Sequence, residues 1–130
     1  MSQISFDSVV VVILKELPDL ANSGAEFYLD NQFQVAAELM AYTAKLLRAK
    51  DIDRNAAELR RVFALINRLA EFGDGSVQNL VEVGMLQALT DSREGLAEAR
   101  AHLAPKPREW LEWMLRTFLR PPGHPDIQKE

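Results

Sequence analysis

Asn79 and Glu82 stand three residues apart in the segment Ser76–Leu89, SVQNLVEVGMLQAL. On a helix that spacing puts both on one face, within a segment otherwise apolar almost all the way round. A helix apolar on every side belongs at the centre of a packed domain. A glutamate there must be paired, protonated or at a rim, because an unpaired buried carboxylate is costly. Arg61, Asn67 and Arg68 on the preceding segment are the partners on offer. Such a set could serve as a general acid or base, or as a ligand anchor in a helical cleft. The plainer alternative is an ion pair that fixes packing. Asn79, Glu82 and Arg68 therefore form the ligand-binding set of a small-molecule-binding or enzymatic alternative.

Other catalytic patterns are missing from the sequence. His102 and His124 lie far apart, with no HExxH and no Glu-x-x-His, so no metal site is expected. There is no cysteine, which excludes disulfides, thiolate ligands and cysteine nucleophiles. No GxSxG elbow occurs, and Gly73-Asp74-Gly75 lacks the Lys-Ser/Thr of a phosphate loop. The expectation is no cofactor and no catalytic residue.

Charge and aromatic placement point instead to contact with a partner. Residues 1–42 carry one Lys or Arg against six Asp or Glu, whereas residues 100–130 carry six against four. An acidic first third repels phosphate and attracts a basic partner. Asp19, Glu26, Tyr28 and Asp30 in the first connection are its expected contact residues. Trp110 and Trp113 share a face of the last helix, and tryptophan is enriched at binding hot spots. Either both pack inside, or one anchors a partner or a second copy of the chain. The pI of about 5.2 argues against nucleic acid.

These residues must be positioned by helices. Apolar residues recur at helical spacing in six segments, at about 6–17, 31–49, 54–72, 76–89, 93–103 and 107–120. The run Val9–Val12 favours a strand by propensity, but Phe6, Val9, Val10, Ile13, Leu14 and Leu17 follow a helical period. The second helix presents Phe33, Ala36, Ala37, Met40, Ala44 and Leu47 as its inner set. The third presents Leu59, Val62, Phe63, Ile66, Leu69 and Ala70. Asp53, Ser76 and Ser92 are the expected N-caps. Gly84 interrupts the fourth helix, as a glycine does where a neighbour's backbone comes close.

An all-α, single-domain bundle or array of about six helices follows, over residues 1–120. A flexible, proline-rich tail is expected at 121–130. No run has the length of a membrane span or a signal sequence. The chain is read as cytoplasmic.

Two segments resemble uncharacterised small all-helical bacterial domains. One is SVVVVILKELPDL; the other is the helix from Asn79 to Leu89, with its Asn-apolar-x-x-Gly-x-Leu-x-x-Leu order. Such domains are similar in character to the immunity proteins of bacterial toxin systems, which are small, acidic and bind a cognate toxin. The resemblance implies no catalytic residue. The expected function is thus a non-enzymatic protein-interaction module using an acidic N-terminal face, of immunity type in its sharpest form.

Overall fold

The structure is a computed structural model that describes residues 3–22, 31–49 and 51–117. Among the described residues the regular structure is all helical but for one isolated bridge, between Ile4 and Gly73. The expected tail at 121–130 lies outside the described residues.

Helix α1 (Val9–Glu16) buries Val9, Val10 and Ile13, so the valine run is helical. It starts three residues later than its apolar period, after a turn at Phe6–Ser8. Pro18 ends it and opens one further turn, α2 (Pro18–Ala21), as proline suits a first helical position.

The long helices α3 (Gln32–Arg48) and α4 (Asp53–Phe72) pack against each other. Every residue of the expected α4 stripe is buried, and Leu65 and Glu58 join it. Helix α3 differs. Its buried face is Gln32, Val35, Ala36, Leu39, Met40, Thr43 and Leu46, whereas Phe33 and Ala37 are exposed. Two polar residues on the true inner stripe hide it from a count of apolar positions. Both are satisfied inside: Gln32 Nε2 donates to the Phe6 carbonyl at 3.0 Å and Thr43 Oγ1 to the Leu39 carbonyl at 2.8 Å. A buried polar group with a partner escapes most of its desolvation cost.

The fourth segment is a continuous helical rod in three parts: α5 (Gly75–Asn79), a π-helix π1 (Leu80–Leu86) and α6 (Gln87–Leu89). It is central, touching α3, α4 and the last helix. At Gly84 a Cβ would stand 3.1 Å from the Ala36 Cβ of α3. The glycine therefore sits where two helices approach closely. The rod is nevertheless open on one side, where Asn79 and Val83 are exposed and Glu82 is half-buried.

Asp74, not Ser76, caps this rod, accepting from the Val77 N–H at 2.9 Å. Its other oxygen accepts from the Phe6 N–H at 3.1 Å, while the Ile4 N–H donates to the Phe72 carbonyl. One carboxylate thus caps a helix and pins the N-terminal segment to it. Asp53 is the first residue of α4 rather than its cap, which is Ile52. Ser92 caps α7 (Arg93–His102) as expected, accepting from the Gly95 N–H at 2.9 Å. The last helix, α8 (Pro105–Thr117), buries Leu111, Met114 and Leu115. Asn67 clamps the α7–α8 link: its Nδ2 donates to the His102 carbonyl and its Oδ1 accepts from the Ala104 N–H.

Candidate functional site

The most developed polar cluster lies between α3 and α4, with Asp19 of α2 near enough to act on it electrostatically. Glu58 falls in register with Val62, Leu65 and Leu69 and is buried with them. Tyr42, across on α3, donates its hydroxyl to Glu58 Oε2 at 2.5 Å. Arg61 stands 3.8 Å from the other oxygen, Oε1. Burial, then the Glu58 carboxylate, push the Tyr42 phenol well above its ordinary range; Asp19 on α2 adds negative potential, and Arg61 opposes it. Asp19 itself is exposed. The cluster therefore places an outward acidic residue beside a buried, hydrogen-bonded carboxylate. The sequence signal for it is a glutamate in step with the α4 apolar stripe, four residues before Val62.

Glu26, Tyr28 and Asp30, the other contact residues of the acidic connection, lie outside the described residues. Trp110 is half-buried against the core, with Lys106 Nζ 5.8 Å from its ring centroid. Trp113 is 51 % exposed. The two tryptophans thus divide between inside and outside. The last helix is tied to α7 by Arg100, whose Nε and Nη2 grip the two Glu112 oxygens at 2.9 and 3.0 Å. That grip holds the Glu112 carboxyl below the ordinary carboxylate range.

Asn79 ends α5 and is exposed, Glu82 lies half-buried in the π-helix, and Arg68 is engaged elsewhere. Arg68 pairs with Glu16 of α1, Arg61 with Glu58, and Asn67 is held by the α7–α8 link. The three partners foreseen for Glu82 are each engaged elsewhere, while on the rod Asn79 is exposed and Glu82 half-buried.

Four clefts stand out among the described residues. The largest two are of about 530 Å³. One lies between the end of α3 and the start of α7, at Ala44, Leu47, Arg48, Ser92 and Glu94. The other lies between α4 and α8, at Arg68, Glu71, Phe72 and Pro105. A third, of about 300 Å³, continues the first along Met40 and Leu89. The fourth, of about 320 Å³, holds Arg60, Glu98 and His102. Asn79 and Glu82 line none of these four. Among the described residues, no three acidic or histidine side chains gather to hold a metal ion, and no helix is long and apolar enough to cross a membrane.

Fold and surface together define a small all-helical domain with its polar chemistry on helix faces. The chain belongs to the family described as Domain of unknown function (DUF7674), which matches residues 11–118. No curated protein and no solved structure matches the chain.

Proposed function

We propose that this protein is a non-enzymatic protein-interaction module whose acidic N-terminal third receives a basic partner. The charge layout carries the reading. Residues 1–42 hold six acidic side chains against a single lysine, and Asp19 stands exposed beside the Tyr42–Glu58 pair. A rigid helical scaffold presenting one sign of charge speeds encounter with a partner of the other sign and suppresses wrong ones. The sharpest form is an immunity protein that acts in the bacterial cytoplasm by covering the working surface of a toxin.

The test is co-purification of the tagged protein from its native lysate, beside a variant reversed at Asp19, Glu26 and Asp30 to lysine. One stoichiometric protein, lost in the variant, is the expected result. A toxin as that protein would establish the immunity form. A partner retained at full yield by the variant would overturn the acidic face.

A further inference from the structure

The surface that the partner meets has an apolar anchor point as well as a charge. We propose that the seam between the start of α3 and the π-helix is a docking site for a basic protein segment carrying an apolar side chain. The proposal rests on the interaction-module reading above and specifies where, and with what chemistry, the partner binds.

The apolar part is built from three elements. Phe33 is 43 % exposed and Val83 is 47 % exposed. They flank Gly84: the Phe33 Cδ1 lies 3.7 Å from where a Gly84 Cβ would stand, and Val83 is the next residue. A side chain at Gly84 would fill the space that Phe33 now lies against. Phe6, half-buried against the core, backs the row with its ring centroid 6.2 Å from that of Phe33. Ala37, one turn beyond Phe33, is exposed. Contiguous exposed apolar surface marks contact sites where scattered residues do not, and a central aromatic is the usual energetic anchor. The seam exists because α3 buries its Gln32–Thr43 stripe and leaves Phe33 and Ala37 outside.

The charge around it selects the partner. No Lys or Arg occurs between Lys15 and Lys45, or between Arg68 and Arg93. Those two stretches contain Phe33 and Ala37 on the one hand and the whole rod from α5 to α6 on the other. Within those stretches Glu38 of α3, the rod's cap Asp74 and Glu82 are the charges nearest the seam in sequence, and Asp7 follows Phe6; the two cations of α3, Lys45 and Arg48, fall in its last turn. Glu82 adjoins Val83 and forms no ion pair among the described residues. An apolar anchor whose neighbours along the chain are acidic favours a cationic segment and disfavours an acidic one. A second copy of this chain would bring the same negative charge to the same seam. The π-helix contributes by geometry. Its wider turn keeps Leu80, Val81, Met85 and Leu86 all buried while Val83 faces out, and such segments recur at functional sites.

The test titrates the isotope-labelled full chain with an amphipathic lysine–leucine peptide of about 14 residues, four helical turns. A glutamate–leucine peptide of the same length is the comparison. Amide shifts at Phe33, Ala37 and Val83 with the basic peptide alone are expected. Phe33→Ala and Val83→Lys should each weaken its binding by about tenfold, the scale of a hot-spot loss. Ile52→Lys, an exposed apolar position past the other end of α3, should leave binding within about twofold. Circular dichroism of each variant separates lost binding from lost folding, and the wild-type shift map stands without any variant. Shifts centred on Asp19, Tyr42 and Glu58, or on Trp113, would overturn the seam and leave the interaction module standing. Equal binding of both peptides would overturn the charge selection. No binding of the basic peptide anywhere on the chain would remove both the seam and the acidic face.

Discussion

Tyr42 and Glu58 bind two helices through a single short hydrogen bond. Replacing Tyr42 by Phe leaves the buried Glu58 without its donor, and should cost about 1–3 kcal/mol of unfolding free energy at neutral pH, read by urea denaturation. The same substitution has a signature in alkali. Burial raises the Tyr42 phenol in the folded chain above its ordinary value of 10.0. Its contribution to stability is therefore complete below pH 10 and is lost as the pH rises beyond it. Wild type should lose stability above pH 10 more steeply than Tyr42→Phe, and difference absorbance of tyrosinate should show one phenol that titrates late and vanishes in the variant. Asp74 is the second residue whose influence exceeds its size. Asp74→Ala removes a helix cap and the tether to Phe6 together. A loss of about 1–2 kcal/mol is expected, with faster amide exchange at Phe6 and Val77.

Among the elements, α7 is short and held at both ends. At its start, a Cβ on Gly95 would stand 2.6 Å from the Leu89 carbonyl oxygen, which is backbone and cannot swing aside. Gly95→Ala should therefore destabilise by about 1–3 kcal/mol, although alanine alone would favour the helix by about 1 kcal/mol. A gain in thermal midpoint would show that the α6–α7 turn is looser than its geometry implies. Farther along α7, Arg100 grips Glu112 of α8. Because that grip depresses the Glu112 carboxyl in the folded state, its stabilisation is present above the ordinary carboxylate range. It is lost as the pH falls through the lowered value. Glu112→Gln should flatten the acid limb of the stability profile and leave the alkaline limb as it is.

For the whole molecule, the decisive property is the separation of charge. The N-terminal third and the central rod present negative charge, while the excess of cations falls after residue 100. Association through the acidic side should weaken steeply as salt rises, since the Debye length shortens from about 10 Å at 0.1 M to about 3 Å at 1 M. Binding that persists unchanged across that range would mean that the apolar seam acts without help from charge. Sedimentation of the isolated chain should give a monomer. A dimer abolished by Trp113→Ala would instead make the last helix a self-association face.

Much of the architecture follows from periodicity, which is a local property of the chain. The helical nature of the valine run, the α4 stripe and the central place of the rod at Gly84 were all legible in residue spacing, because burial of an amphipathic face needs only the right period. The inner face of α3 was not. Gln32 and Thr43 read as outward until Phe6 and the helix's own backbone supply their hydrogen bonds. The same holds for Asp74, whose two partners are three and sixty-eight residues away, and for Glu58, whose donor lies on another helix. Arg68 goes to Glu16 of α1 rather than to Glu82, a choice that no local pattern announces. A polar residue's orientation is set by which partner reaches it, and that is decided only when distant segments have packed.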